Sequence, residues 1–314
     1  MPDPVPHDIR QLGDERAKAR RAHDWATADR LKAEIEAAGW RVVDAGTLYS
    51  LERKPPEVVE VDGEVRYGSS EAVPSVLESP ASGAASVVIV ADERASLVPV
   101  AARAVLASSP AAQVIVVAND PPEDAAGLLV GLEGVEIVPL ARRLGAAAAL
   151  NAGIRRAAGE IVVLLDPGVE VQGDLAADAA AALADQNVGV AGLRGLATDD
   201  LVHFEITAVA PAAAAVDRLA IAFRRADYRE RGPLDEHFER WSYLDAWWSL
   251  ALRDVGEDAV FGVDKPRSAA LLATGYSLRG EEPSTPDART AKKHRYRFLK
   301  SFAARRDLVP EAEG

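Results

Sequence analysis

The stretch EIVVLLDPGVEV, residues 160–171, decides how this chain folds. Its run of β-branched and leucine residues predicts a buried strand, and that strand ends on Asp166, directly before a Pro-Gly turn. In an open α/β sheet, ligands bind at the carboxyl ends of the strands. We therefore expect Asp166 to lie in the functional site.

Helices and strands alternate around this stretch. The segment Gly145–Gly159 predicts a helix that presents Leu150, Ile154 and Ala157 on one face and ends at Gly159. Short strands that alternate with helices indicate βαβ crossovers, so the predicted fold class is α/β, with a mostly parallel, Rossmann-like sheet flanked by helices. The other predicted elements are strands at Ser86–Val90, Gln113–Ala118 and Val135–Val138 and helices at Ala95–Leu106 and Glu123–Leu132.

The composition excludes several kinds of site and partner. The 314 residues contain no cysteine, which excludes disulfides and thiolate metal sites. The formal net charge of −13 repels nucleic-acid backbones, so we do not expect a nucleic-acid partner for the chain as a whole. The chain has no apolar run of ~18 residues and no apolar signal core near its N-terminus, which predicts a soluble, cytoplasmic protein without a transmembrane segment.

Shifts in pattern divide the chain into four predicted parts: an N-terminal helical hairpin with short strands over residues 1–54, a linker over 55–84, an α/β domain over 85–306 and a tail over 307–314. The linker is rich in Pro, Glu, Ser and Ala, and it encloses a predicted β-hairpin of Val58–Val61 and Glu64–Tyr67. The dipeptide Asp62-Gly63 between those strands suits a tight two-residue turn.

Several motifs follow one another in order along the α/β part. They are SVVIV at 86–90, VIVVAND at 114–120, LNAGIRRAAGEIVVLLDPGVEV at 150–171, LAIAFRRADYRERGPLDEHF at 219–238 and YLDAWWSLALRDVG at 243–256. In this order they resemble the family-2 glycosyltransferases, which have the GT-A fold. The resemblance spans about residues 84–305 and implies that this part of the chain is a GT-A domain.

The resemblance implies an enzyme that transfers a hexose from a nucleoside diphosphate sugar to an unknown acceptor, with inversion. It places Asp245 as the base that removes the acceptor's proton. It places Asp166 at the first position of a D-x-D motif, beside the ribose and a divalent cation, Mg²⁺ or Mn²⁺. The other implied site residues are Asn119, Asp120, Asn151 and Gly153 on the donor side and Asp235 and Glu236 on the acceptor side. Trp247, an aromatic residue that could stack on a sugar, is a further acceptor-side candidate.

Four positions depart from the family's pattern. Gly168 replaces the second acid of the D-x-D, usually the direct metal ligand, and Leu244 replaces the first acid of the pair that supplies the base. Asn119-Asp120 stands where the family contacts the nucleobase, and ATGY at 273–276 lacks the metal-binding His of the tail. The departures favour a divergent specificity or a catalytically inactive GT-A domain that serves as a binding or scaffold module. The candidates for a third carboxylate are Glu170, Asp199, Asp200 and Asp235.

The same side chains also have purely structural interpretations. Asp166 could cap the Pro-Gly turn. Asp245 could be a helix N-cap, which would keep it charged and make it a weaker base. Trp241, Trp247 and Trp248 could stack on a sugar or pack in the core.

The N-terminal segment Ala19–Arg53, with DWATADRLK at 24–32, resembles the C-terminal tail of bacterial cysteinyl-tRNA synthetases. In that family the region helps to recognise tRNA, so the resemblance implies an RNA-binding accessory role. The alternative is a hairpin for packing or dimerisation, which would make the protein a homo-oligomer. We favour this alternative, because nearly as many acidic residues offset the lysines and arginines.

The C-terminal segment Arg289–Arg306 is basic, and Tyr296, Phe298, Leu299 and Phe302 are interleaved with its charges. This pattern predicts an amphipathic helix. It could face a diphosphate or a lipid headgroup, or it could be a solvated helix that packs Leu299 and Phe302 on the domain. We favour the packed helix because the protein is acidic.

Overall fold

The computed structural model describes residues 5–22, 24–45, 48–53, 57–61, 63–122, 127–129, 131–209, 213–255, 265–281 and 287–310. The chain forms two compact units, Met1–Glu57 and Val58–Gly314.

The first unit is a helical hairpin followed by a β-hairpin. It contains α1 (His7–Arg21), α2 (Trp25–Ala37), β1 (Trp40–Ala45) and β2 (Leu48–Arg53), and the two strands pair antiparallel. Asp24 caps the start of α2 by accepting a hydrogen bond from the Thr27 backbone N–H at 3.1 Å. Ile9, Ile35 and Trp40 are its buried core. The predicted N-terminal helices are therefore confirmed.

The second unit is built on a twisted sheet. Its strands are β3 (Val58–Val61), β4 (Glu64–Tyr67), β5 (Gly83–Ala91), β6 (Gln113–Ala118), β7 (Val135–Pro139), β8 (Gly159–Leu165), β9 (Val169–Val171), β10 (Val188–Gly192), β11 (Gly195–Ala197), β12 (Glu205–Thr207), β13 (Ala215–Val216), β14 (Ala220–Arg224), β15 (Ser268–Leu271) and β16 (Tyr276–Leu278). Among the described strands, seven form one sheet in the order β15-β10-β14-β8-β5-β6-β7. β8, β5, β6 and β7 run parallel, whereas β14 is antiparallel to β8 and β10. The predicted α/β class with a mostly parallel sheet is confirmed.

Helices cover both faces of this sheet. They are α3 (Val98–Ser108), α4 (Ala146–Ile154), α5 (Leu175–Ala182), α6 (Arg225–Arg231), α7 (Leu244–Arg253) and α8 (Ala288–Phe302). α3 and α5 pack on one face with Val87 and Ile89 of β5, and α4 and α7 pack on the other face with Val88. Because successive strand residues point to opposite faces, a strand covered on both sides is apolar throughout. Of the helices that are described, none combines the length and the apolar character needed to cross a membrane.

The basic helix α8 packs on the domain, as we favoured from its sequence. It buries His294, Phe298 and Phe302, whereas Tyr296 is 72% exposed. Phe298 and Phe302 join Leu250 of α7 in a small apolar cluster. Asp287 caps the start of α8 by accepting hydrogen bonds from the backbone N–H groups of Arg289 and Thr290, which have no partner within the helix.

The predicted end of the helix before residue 160 is wrong. α4 ends at Ile154, and Gly159 is the first residue of β8, where it pairs with Gly83. A Cβ on Gly159 would lie 2.4 Å from the carbonyl carbon of Ala85 in the neighbouring strand. The glycine thus permits a close approach between two strands. Of the predicted helix Glu123–Leu132, residues 127–129 are helical, and residues 123–126 and 130 lie outside the described residues.

From Val58 on, the segment before β5, which the sequence predicts as a linker, belongs to the second unit and packs on its central sheet and on α4. β3 and β4 form an antiparallel hairpin, and the carbonyl of Tyr67 accepts a hydrogen bond from the N–H of Ala141. Val73 and Leu77 are buried in the core that contains α4. Arg155, just after α4, donates a hydrogen bond to the carbonyl of Val73 at 2.8 Å. This stretch therefore contributes to the stability of the α/β unit.

Candidate functional site

A cleft of about 900 Å³ lies at the carboxyl edge of the parallel strands. Its walls come from the segments after β5, β6 and β8, from the start of α4 and from residues 239–245. This is the edge at which ligands bind in open α/β sheets. Polar and aromatic residues of the lining include Arg94, Asn119, Asp166, Arg218, Trp241, Tyr243 and Asp245.

Asp166 follows the last residue of β8 and is 3% exposed. Its Oδ1 accepts a hydrogen bond from the N–H of Gly168 at 2.8 Å, which is the turn-capping contact that the structural interpretation expects. Its backbone N–H donates to the carbonyl of Leu219, at the start of β14. Asp166 also lines the cleft, so one carboxylate both caps the turn and faces the candidate site.

Two arginines hold the other oxygen of this carboxylate. Arg94 donates to Oδ2 of Asp166 at 2.6 Å, and Arg218 donates to the same atom at 2.9 Å. Arg94 comes just after β5, and Arg218 comes just before the antiparallel strand β14, so the chain brings both to the same edge of the sheet. Neither arginine belongs to a motif that marks the site in the sequence. Their positions next to strand ends are the signal that could have found them.

The side chains around Asp166 do not fit a divalent cation. Hard cations bind groups of oxygen ligands, and both oxygens of Asp166 already accept hydrogen bonds from Gly168 or from arginine. Where the D-x-D motif has its second acid, a Cβ on Gly168 would lie 2.8 Å from the carbonyl oxygen of Arg279 and 3.1 Å from Nη1 of Arg94. Within the described ranges no group of three or more His, Cys, Asp or Glu residues could hold a metal ion.

Asp245 lies at the second position of α7 and lines the cleft. The N-cap of this helix is Tyr243, in the left-handed region with φ of 62°, so the interpretation of Asp245 as an N-cap is wrong. Burial raises the pKa of Asp245 to about 6, and this outweighs the hydrogen bond from the N–H of Ala246, which acts in the opposite direction. A carboxyl group with this pKa is a stronger base than an ordinary aspartate and is still largely ionised at neutral pH.

Asp217 contributes to this environment. Its negative charge raises the pKa of Asp245, while the positive charge of Arg218 lowers it. Asp217 is itself 3% exposed, and burial raises its own pKa although Arg194 forms an ion pair with it. The local sequence marks neither Asp217 nor Arg194, because their role depends on contacts across the fold.

The predicted donor-side residues on the loop after β6 differ in their placement. Asn119 lines the cleft, yet its side chain also bonds to the backbone of Leu144, donating to the carbonyl at 3.1 Å and accepting from the N–H at 2.7 Å. It thereby joins the segments after β6 and β7. Asp120 is exposed, has a φ of 51° and lies outside the lining of the cleft.

Asn151 and Gly153 lie within α4, behind the cleft lining. Asn151 donates to the carbonyl of Leu234 at 2.9 Å and to Glu236 at 3.0 Å, and it accepts from the N–H of Leu234 and from the hydroxyl of Tyr228, each at 3.0 Å. A Cβ on Gly153 would lie 2.4 Å from Cγ1 of Val88. These residues position α4 and the loop at 234–236, in keeping with a packing role.

The predicted acceptor-side residues also lie outside the lining of the cleft. Asp235 pairs with Arg297 of α8 at 3.0 Å, and Glu236 accepts the hydrogen bond from Asn151. Trp247 is partly buried and stacks on Trp248, with ring centroids 6.1 Å apart. The aromatic side chains that do face the cleft are Trp241 and Tyr243.

The candidates for a third carboxylate do not converge on Asp166 and Asp245. Glu170 forms an ion pair with Arg279, and Asp200 pairs with His203 at 2.7 Å. Asp199 is exposed. None of these three residues, nor Asp235, belongs to the lining of the cleft that the structure describes.

Comparison with known proteins agrees with this architecture. Residues 86–234 match the family model described as Glycosyl transferase family 2. The crystal structure of GalNAc-T7 with UDP, GalNAc and Mn²⁺ is similar, with a TM-score of 0.57 and 14% sequence identity over 79% of this chain and 52% of that chain. The fold is GT-A. The mannosyltransferase PcManGT of Pyrobaculum calidifontis with GDP-Man and Mn²⁺ gives a TM-score of 0.45 at 19% identity, covering 62% of this chain and 58% of that chain. The GT-A chain described here thus spans somewhat more than half of each of those two proteins.

Two short sequence matches concern a different kind of protein. A 48-residue segment is 48% identical to the cysteine–tRNA ligase of Opitutus terrae, and a 40-residue segment is 52% identical to cysteine–tRNA ligase 1 of Burkholderia lata. They cover 15% and 13% of this chain but only 10% and 8% of the ligases. Matches of this length do not establish the tail resemblance of Ala19–Arg53, and RNA binding stays the less favoured alternative to a packing hairpin.

Proposed function

We propose that the GT-A unit transfers a sugar from a nucleoside diphosphate sugar to an acceptor hydroxyl, with inversion at the anomeric carbon. In this reaction the acceptor oxygen forms a bond to the anomeric carbon as the bond from that carbon to the diphosphate oxygen breaks. The acceptor's proton passes to the carboxylate of Asp245, and the nucleoside diphosphate leaves. Asp166 lies on the donor side, and Trp241 and Tyr243 offer apolar surface to a sugar.

The observation that carries this proposal is that Asp166 and Asp245 line the same cleft, at the carboxyl edge of a GT-A sheet. The two carboxyl groups have different environments, as a donor-side group and a base require. Asp166 forms ion pairs with Arg94 and Arg218, whereas desolvation raises the pKa of Asp245 to about 6. A base works best when its pKa is near the working pH.

The class of donor to test comes from the ligands of similar solved structures. GalNAc-T7 was solved with UDP and GalNAc, and PcManGT with GDP-Man. Nucleoside diphosphate sugars are therefore the class of donor to test, and the acceptor is left open. Water can serve as the acceptor in a first assay, because slow hydrolysis of the donor reports the same bond cleavage.

The test is release of nucleoside diphosphate from UDP-, GDP- and dTDP-sugars, with donor binding measured by thermal shift. We expect one donor class to raise the melting temperature, since ligand at 100 times its Kd adds about 2.7 kcal/mol of stability. Asp245→Asn should lower turnover by about 100-fold or more and leave the donor Kd nearly unchanged. Asp199→Asn, which changes an exposed aspartate outside the cleft, is the matched control.

The outcomes separate the alternatives. Donor binding without any turnover in the unaltered protein would favour the inactive binding module. Turnover that survives Asp245→Asn would remove Asp245 as the base. A melting temperature that no donor shifts would contradict the proposed function as a whole.

A further inference from the structure

We propose that the guanidinium groups of Arg94 and Arg218 bind the donor's diphosphate in place of a divalent cation, so that donor binding does not need metal. This inference rests on the proposed function and concerns the same cleft. A metal site of this family needs a second carboxylate, whereas Asp166 is surrounded by Arg94, Arg218 and Gly168.

The two arginines occupy the position where the positive charge is needed. Both donate to Oδ2 of Asp166, at 2.6 Å and 2.9 Å, and both line the cleft. Their side chains are 18% and 15% exposed, so each keeps part of its surface towards the cleft while Asp166 is almost fully buried. Asp166 neutralises one of the two positive charges, and the three side chains together carry one net positive charge.

Gly168 explains why an arginine and not a second acid completes this group. A Cβ on Gly168 would lie 3.1 Å from Nη1 of Arg94 and 3.1 Å from Oδ1 of Asp166, and only 2.8 Å from the backbone oxygen of Arg279. A carboxylate side chain at this position would therefore displace Arg94. The glycine that replaces the second acid thus leaves the space that Arg94 occupies.

The chemistry of the ligand fits two arginines. A guanidinium group presents its N–H donors in a planar fork that matches phosphate oxygens, and it stays charged at all working pH values. When the bond to the sugar breaks, negative charge grows on the diphosphate. Fixed cations at that place stabilise the developing charge without any need to reorganise. Arg218 adds a link to the base, because its charge also lowers the pKa of Asp245.

The other arginines of the cleft are engaged differently. Arg143 and Arg240 also belong to the lining, and both pair with Glu93, at 3.0 Å and 3.4 Å. Their side chains are more exposed than those of Arg94 and Arg218, which places them at the rim. The less exposed pair, Arg94 and Arg218 on Asp166, is therefore the better candidate for the diphosphate.

The experiment measures the Kd of UDP, GDP and dTDP by calorimetry, in EDTA and again with Mg²⁺ or Mn²⁺. We expect the nucleotide that binds to do so with a Kd that changes less than threefold between these conditions. Arg94→Met and Arg218→Met should each weaken binding in EDTA by tenfold or more. Arg156→Met is the matched control, because it removes an arginine from a part-buried ion pair, with Glu136, outside the cleft.

Asp166→Asn separates the two mechanisms even if an arginine variant folds poorly. It keeps the size of the side chain and removes the negative charge that opposes the diphosphate. With arginines as the binding groups, the variant binds the nucleotide in EDTA at least as tightly as the unaltered protein. If Mn²⁺ tightens binding tenfold or more and Asp166→Asn abolishes that gain, a metal holds the diphosphate and the inference is overturned, while the proposed transferase stands. If no nucleotide binds under any condition, the proposed function itself fails.

Discussion

Arg218 donates a hydrogen bond of 2.9 Å to Oδ2 of Asp166, and the two residues are separated by 52 positions in the chain. The same guanidinium group lowers the pKa of Asp245 by its positive charge. Arg218 thus stands between the donor-side carboxylate and the proposed base. A single cation thus binds the carboxylate of Asp166 and keeps the pKa of Asp245 from rising further.

The rate of donor consumption should depend on pH through Asp245. The group must be deprotonated to accept a proton, and its pKa is raised to about 6. We expect kcat/KM to be constant near neutral pH and to fall tenfold for each pH unit below about 6. The measurement is a pH–rate profile, with the donor Kd followed over the same range. A profile that stays flat down to pH 4 would contradict the assignment of the base.

Asp245→Asn should also change stability, and this test needs no substrate. Because the folded-state pKa of Asp245 is raised, the folded protein binds this proton more tightly than the unfolded chain, whose aspartates titrate near ~3.9. The stability from this group is present below that value and is lost as the pH rises through about 6. Urea unfolding should therefore show Asp245→Asn to be more stable than the unaltered protein at pH 8, by roughly 2–3 kcal/mol, since each pKa unit corresponds to about 1.4 kcal/mol. No gain is expected at pH 4, and an equal gain at both pH values would point to a cause other than titration.

Gly168→Ala should destabilise the protein although it adds one methyl group. The new Cβ would lie 2.8 Å from the carbonyl oxygen of Arg279, closer than side-chain carbons approach backbone oxygens. We expect a loss of about 1–3 kcal/mol in the free energy of unfolding, measured by urea denaturation. Gly173→Ala is the control, because its Cβ would meet Cγ2 of Thr274 at an ordinary 3.6 Å. Similar losses in both variants would show that local backbone freedom, and not crowding, is responsible.

Asn151→Ala should cost more than a typical polar substitution. Asn151 is 2% exposed and bonds to Leu234, to Tyr228 and to Glu236. Its removal leaves buried donors and acceptors unpaired, so we expect a loss of about 3 kcal/mol or more by urea denaturation. Asn187→Ala, at an exposed asparagine that bonds to Asp185, should change stability by less than about 0.5 kcal/mol. A loss as small as that of the control would show that the loop at 234–236 does not depend on Asn151.

The alternation of strands and helices was predictable because the spacing of apolar residues along the chain differs between strands and helices. The strand β8, which leads to Asp166, is apolar from Ile161 to Leu165, since helices cover both faces of the sheet. The helix end at Gly159 was not predictable, because a glycine that stops a helix and a glycine that lets two strands approach have the same local signature. Only the distance to Ala85 in the next strand distinguishes them.

For the site, the sequence by itself determined that the carboxylate of Asp166 follows a buried strand. It also determined that Gly168 stands at the second acid position of the D-x-D motif. Both are properties of adjacent residues. The tertiary structure alone decided what meets that carboxylate, because Arg94 and Arg218 are 72 and 52 positions away from it and lie next to the ends of two different strands, β5 and β14. It also decided the pKa of Asp245, since desolvation and the charge of Asp217 depend on packing that no local pattern encodes.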